Sequence, residues 1–175
     1  MRFILISLIS FPLLAADNSI EVDTKGSNSS IYIDQIGSGN TTRVWCGLSN
    51  GTYITHSCSS ATIDIDQNGT GNLAKAYSQY TNHAGNEYTI VQTGDDNIGY
   101  IDADEDDNEL AITQTGDDMQ GEIYMSGDDN VYTVSQSGAG DHYAKFYAFG
   151  DDSTWTTTQS GSGNHNAYIK SCTNC

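Results

Sequence analysis

Six times along the chain, apolar and polar residues alternate and then meet a glutamine, with a glycine two positions on. The first run is Ile31, Ile33, Gln35, Gly37; the second is Ile63, Ile65, Gln67, Gly69; the third is Tyr88, Ile90, Gln92, Gly94. Leu110, Ile112, Gln114, Gly116 follow, then Tyr132, Val134, Gln136, Gly138, and last Trp155, Thr157, Gln159, Gly161. Alternation with a period of two is the mark of a strand that buries one face. Residues between these positions, such as Asp64 and Asp66 or Thr133 and Ser135, suit an outer face. Successive glutamines lie 32, 25, 22, 22 and 23 residues apart, a base period near 22 with 32 − 22 = 10 residues inserted after the first repeat.

A second alternating stretch follows each glycine. Its inward positions are Thr42 and Val44, Ala74 and Ala76, Gly99 and Ile101, Gly121 and Ile123. The phase slips by one in the last two repeats, giving Ala144 and Phe146, then Ala167 and Ile169. A Gly-x-x-Asn arc joins the two stretches, with Asn40, Asn72, Asn97 and Asn164 closing it and Met119 and Asp141 departing. Glycine and asparagine accept left-handed backbone angles, which a tight arc needs.

Each repeat therefore predicts strand, arc, strand, arc. One repeat alone cannot bury its inner face, but stacked copies can. Stacking at about 4.8 Å gives two parallel sheets facing each other about 10 Å apart, an all-β solenoid. Its inward glutamines lie over one another, each amide donating to one neighbour and accepting from the other. Left unpaired, such a buried group would cost about 1–3 kcal/mol. A leucine-rich repeat has a similar period, yet beyond the first sixteen residues the only leucines are Leu48, Leu73 and Leu110. Neither end of the array carries a proline or a capping-helix pattern, so both ends present open strand edges.

The first sixteen residues are different material. Arg2 precedes an apolar run from Phe3 to Leu14, and Ala15-Ala16 stand before Asp17. Residues 1–16 read as a secretory signal, with a run too short to span a bilayer comfortably. A short segment, 17–27, leads into the repeats at 28–171, which carry the insertion at 47–60 and end in a tail at 172–175. Without Arg2 the chain has 6 − 1 = 5 basic residues against 23 acidic, so the formal charge moves from −17 to −18. That balance disfavours nucleic acid and anionic lipid, and membrane insertion is not expected. The only proline, Pro12, lies in the signal.

The run Asn86, Tyr88, Ile90, Gln92, Gly94, Asn97, Gly99, Ile101 resembles the repeat of the curlins, Ser-x5-Gln-x-Gly-x-x-Asn-x-Ala-x3-Gln. Asn108, Asn130 and Ser153 hold the same opening position in later repeats, and Ala74 holds the alanine. The likeness spans Asn28 to Ile169. It implies a subunit of curli-like amyloid fibres in the bacterial biofilm matrix, self-assembling as a homopolymer, exported through a dedicated outer-membrane pore and seeded by a nucleator. This chain departs from the pattern at the closing glutamine, where Cys46, Ser78, Ala103 and Met125 stand in the first four repeats, and in having cysteines at all.

Further chemistry is sparse. Asp95, Asp96, Asp117 and Asp118 gather at one edge and form a candidate, weak calcium site, although diffuse cation screening explains them as well. Acidic arcs also keep a subunit soluble before assembly. His142 and His165, each six residues after a glutamine, should stack as surface residues rather than hold a metal. Cys46, Cys58, Cys172 and Cys175 are disulfide candidates in an exported protein, within one chain or between neighbours. No nucleophile, base and acid stand apart from the repeat, so an enzyme is not expected. The alternative to a fibre is a monomeric secreted solenoid, either an adhesin or a cation- or ice-binding protein. An ice-binding face calls for flat Thr-x-Thr rows, of which Thr156 and Thr158 supply one.

Overall fold

A computed structural model describes residues 5–8, 17–24, 29–45, 61–78, 85–103, 107–125, 129–149 and 152–170. Strands alternate between two sheets along the whole chain. One sheet holds β1 (Leu5–Leu8), β3 (Ser30–Ser38), β5 (Thr62–Thr70), β7 (Glu87–Thr93), β9 (Glu109–Thr115), β11 (Val131–Gly138) and β13 (Thr154–Gly161), in that order. The other holds β2 (Ser19–Val22), β4 (Thr41–Val44), β6 (Leu73–Ser78), β8 (Ile98–Ala103), β10 (Gln120–Tyr124), β12 (Tyr143–Tyr147) and β14 (Asn166–Lys170). All neighbours pair in parallel, so the fold is a β-solenoid whose coils return each repeat beside the last. No helix occurs among the described residues.

The register follows the glutamines. Gln35 pairs with Gln67, Gln67 with Gln92, Gln92 with Gln114, Gln114 with Gln136 and Gln136 with Gln159. A shift of one residue would turn every inward side chain outward, so the alternating pattern fixes this alignment. Ile31, Ile33, Ile63, Ile65, Tyr88, Ile90, Leu110, Ile112, Tyr132 and Val134 face the core from one sheet. From the other come Val44, Ala74, Ala76, Ile101, Ile123, Ala144 and Phe146, all buried. Large residues on one side meet small ones on the other. A Cβ added at Gly99 would sit 2.8 Å from Ile90 Cγ2, and one at Gly121 would sit 3.0 Å from Ile112 Cγ2.

Two strands add to the sequence reading. Residues 17–24 are not a plain leader: β2 pairs with β4 as an extra strand, Ile20 beside Thr42 and Val22 beside Val44. Within the segment read as a signal, β1 lies alongside β3, with Ile6 beside Ile31 and Leu8 beside Ile33. The phase slip also has a simple origin. Tyr143 pairs with Gln120, so the arc before β12 holds one more residue than the arc before β10. That residue is absorbed outside the strands, and the inward positions stay aligned.

Candidate functional site: ladders that run the length of the stack

The six glutamines form one continuous chain of hydrogen bonds. Nε2 donates to the following Oε1 at 2.7 Å (Gln35 to Gln67), 2.8 Å (Gln67 to Gln92) and 2.9 Å (Gln92 to Gln114). Gln114 to Gln136 and Gln136 to Gln159 continue it at 2.9 and 2.8 Å. The second N–H of each amide crosses to the facing sheet. Gln92 reaches Leu73 O at 3.1 Å, Gln114 Ile98 O at 3.0 Å, Gln136 Gln120 O at 3.0 Å and Gln159 Tyr143 O at 3.0 Å. The ladder thus fastens rung to rung and sheet to sheet, and Gln67, Gln92 and Gln114 are fully buried. At the two ends the chain stops. No partner is found among the described residues for Oε1 of Gln35 or for the remaining N–H of Gln159.

Asparagines build a second ladder in the arc. The Asn40 side chain accepts from the backbone N–H of Asn72 at 3.0 Å, Asn72 from that of Asn97 at 2.9 Å, and Asn97 from that of Met119 at 3.0 Å. Each amide also donates across a rung, Asn72 to Gly94 O and Asn97 to Gly116 O, both at 2.7 Å. Asn18 is its first member, accepting from the Asn40 N–H at 2.9 Å and donating to Gly37 O at 3.1 Å. The sequence reading passed over Asn18, although Asn18-Ser19-Ile20-Glu21-Val22 mirrors Asn40-Thr41-Thr42-Arg43-Val44. Asn164 does not belong to this column. The extra arc residue displaces it, and it lies exposed, paired with Asp141, whose N–H bonds its side-chain oxygen at 3.1 Å. Met119, His142 and His165 take the column instead, with Gln120 N bonding His142 O and Tyr143 N bonding His165 O. The two histidine rings stack at 4.7 Å, as the spacing predicted, but only His165 is at the surface: His142 is buried, its Nε2 3.2 Å from Ser137 O. A third ladder runs through the opposite arc. Asn86 accepts from the Asn108 N–H at 2.9 Å, Asn108 from Nδ2 of Asn130 at 3.2 Å and Asn130 from the Ser153 N–H at 3.0 Å.

The glycine after each glutamine allows rungs to touch. Gly37, Gly69, Gly94, Gly116 and Gly138 all have φ between +108° and +141°. A Cβ on Gly94 would lie 2.1 Å from Gly116 O, so no side chain fits. Gly161 keeps the same conformation at φ +115° with no rung beyond it, its nearest neighbour being His165 Cε1 at 3.7 Å.

Aspartates at the arcs hold a conformational role. Asp96 and Asp118 precede the asparagine column with φ of +55° and +58°, where earlier repeats use Gly39 and Gly71. Asp107, Asp129 and Asp152 do the same before the third ladder, where Gly85 stands one rung earlier. Aspartate is among the few residues that accept this region. Asp95 and Asp117 cap backbone N–H groups, of Thr70 and Asp95 respectively, both at 2.8 Å. The arcs therefore occupy part of the candidate calcium site's oxygen atoms with backbone donors. Among the described residues no group of three acidic, histidine or cysteine side chains is placed to hold a metal ion. Raised carboxyl pKa values occur on the outer face of β5. Partial burial pushes Asp64 and Asp66 up, and the charges of Asp34 and Asp64 push Asp66 further. Cys46, Cys58, Cys172 and Cys175 lie outside the described residues, as does the insertion at 47–60.

Comparison with known proteins finds no matching family model, no matching curated protein and no matching solved structure. The function must be argued from the ladders and the faces.

The two outer faces are unlike. Over β7, β9, β11 and β13 the first sheet shows Thr89, Val91, Thr93; Ala111, Thr113, Thr115; Thr133, Ser135, Ser137; and Thr156, Thr158, Ser160, an uncharged block bordered by a column of Glu87, Glu109, Val131 and Thr154. The second sheet carries a row of rings, Trp45, Tyr77, Tyr100, Tyr124, Tyr147 and Tyr168, with successive centroids 4.4–5.6 Å apart. Arg43, Lys75, Lys145 and Lys170 share that face. Lys145 lies 3.1 Å from Glu122 and 4.9 Å above the Tyr147 ring.

Proposed function

We propose that the chain is the structural subunit of an extracellular, curli-like amyloid fibre, adding head to tail and supporting a biofilm matrix, adhesion and surface attachment. The observation that carries this reading is the interrupted glutamine ladder: among the described residues, an acceptor on Gln35 at one end and a donor on Gln159 at the other find no partner. A copy stacked at either end completes one of them, its β13 and β14 taking the places that β1 and β2 hold beside β3 and β4 in the single chain. The strand edges agree with it. Ser153 O accepts from Val131 N, so the odd residues of β13 face β11 while Thr154, Thr156 and Thr158 turn their N–H and C=O groups outward. Open edges of this length normally attract another strand. Export through an outer-membrane pore, and start-up on a nucleator subunit, fit an acidic chain that must reach the cell surface before it stacks. The chain lacking residues 1–16, purified unfolded and diluted into buffer, is expected to form unbranched fibres visible by electron microscopy, with a meridional reflection near 4.8 Å. A folded protein that stays monomeric for days at high concentration would remove the proposal.

One observation favours a second reading, a monomeric solenoid that binds ice or another ordered surface. A block rich in threonine and serine, broken by Val91 and Ala111 and bordered by Glu87 and Glu109, spans four rungs and three columns, wider than the single Thr156–Thr158 row evident in the sequence. Thermal hysteresis by a monomer would support it over the fibre.

A further inference from the structure

The row of rings on the second sheet is the largest feature that the ladders leave unused. Five of its members are tyrosines, and their mutual geometry is uneven. Tyr77 meets Tyr100 at 69°, Tyr100 meets Tyr124 at 74° and Tyr147 meets Tyr168 at 68°, all edge to face. Tyr124 and Tyr147 alone lie nearly parallel, 14° apart with centroids at 5.0 Å. Continuing the pairing of Glu122 with Lys145 puts them directly opposite one another on β10 and β12. Parallel overlap brings the carbons ortho to the two oxygens toward each other, which an edge-to-face pair does not.

We propose that Tyr124 and Tyr147 are a site of oxidative cross-linking, joined as dityrosine when a peroxidase and hydrogen peroxide act on the folded chain. The oxidant removes one electron from each phenol, and each phenolic proton passes to a neighbouring base. The two phenoxyl radicals then form one carbon–carbon bond between ortho positions. Each of those carbons sheds its ring hydrogen as a proton, restoring aromaticity and reprotonating the oxygens. In sum two tyrosines and one hydrogen peroxide give dityrosine and two waters. Glu122 is the base at hand: its carboxylate, held by Gln120 Nε2 and by Lys145 at 3.1 Å, bears by its charge on the Tyr124 hydroxyl. Partial burial first, and that carboxylate second, push the Tyr124 phenol up to about 12, so it enters the reaction protonated and needs such an acceptor. The rest of the row serves as relay. A radical formed at Trp45, Tyr77, Tyr100 or Tyr168 is never more than 5.6 Å from the next ring on its way to the pair.

The link lies within one chain, so it does not depend on the fibre proposal and forms in a folded monomer or a fibre alike. The test treats the folded protein with horseradish-type peroxidase and peroxide, reads dityrosine fluorescence, and maps the linked peptides by mass. The expected product is a single dominant link between the β10 and β12 peptides, lighter by two hydrogens than their sum. Tyr147→Phe abolishes it, Tyr168→Phe keeps it, and the denatured chain gives a scatter of links. Because the map is made on the natural sequence, a misfolded variant does not blur the result. Dityrosine spread evenly over Tyr32, Tyr168 and the others in the folded protein, or none at all, overturns the assignment.

Discussion

A single inward glutamine does three jobs, and its removal should show all three. Replacing Gln114 with alanine strips the acceptor from Gln92, the donor from Gln136 and the donor from Ile98 O, all within the stack. Each buried group left unpaired costs about 1–3 kcal/mol, so the loss should be about 3 kcal/mol or more. Thr113 sits beside Gln114 but faces out, and Thr113→Ala should stay within about 0.5 kcal/mol. Denaturant midpoints of the two variants check the contrast, and equal midpoints would mean that the glutamine face is wrongly placed. This contrast was legible from alternation alone, because period two assigns faces without any knowledge of the fold. Asn164 was not legible. Counting three residues from the glycine identifies the asparagine column only while every arc has one length, and a single added residue moved Asn164 to the surface. The left-handed aspartates were equally hidden, since charge suggests a ligand site long before it suggests a backbone angle.

At the scale of strands, the six glutamine-bearing strands and their partners were predicted from the repeat, but β2 was not. Its four residues carry no glutamine or glycine, and only their match to Asn40–Val44 betrays them. The signal-like run hides β1 in the same way, because apolar composition fits both a leader and a strand. That strand pairs with β3 along Ser30–Ile33, the edge a new subunit would need. The chain retaining residues 1–16 is therefore expected to assemble with a longer lag than the chain beginning at Asp17, as followed by thioflavin fluorescence. Indistinguishable lag times would argue that β1 does not shield that edge.

Neighbouring strands also set a pH response. Asp34 on β3 pairs with Asp66 on β5, and burial and repulsion raise the folded-state pKa of Asp66 above its ordinary value of 3.8. A raised value means that stability is full below the unfolded pKa and declines as pH rises through the folded one. The stack should become more resistant to denaturant on acidification from about pH 7 to about pH 4, toward the ordinary carboxyl range. Asp66→Asn should weaken that dependence. Denaturant midpoints across the range measure it, and an unchanged slope in the variant would assign the response elsewhere.

For the whole molecule, the proposed growth would need both end rungs open to a further copy. Thr156 directs its N–H away from β11, so proline there removes a donor only from the outward edge while leaving the internal ladder whole. Thr156→Pro is expected to fold, as read by circular dichroism, yet to halt extension at that end and to cap growing seeds at substoichiometric amounts. A variant that extends seeds like the natural chain would show that β13 is not a growing edge.

The glutamine ladder has a further consequence. Every side-chain amide in it points the same way, nitrogen toward the later rung. Their dipoles add like aligned compass needles, and reversing one would set nitrogen against nitrogen on one side and oxygen against oxygen on the other. A single flipped amide is therefore a fault line that two neighbours oppose, and the column switches as a block or not at all. A subunit arriving upside down would create the same fault at the joint. The stack carries an arrow, written in its core, that any incoming copy would have to match.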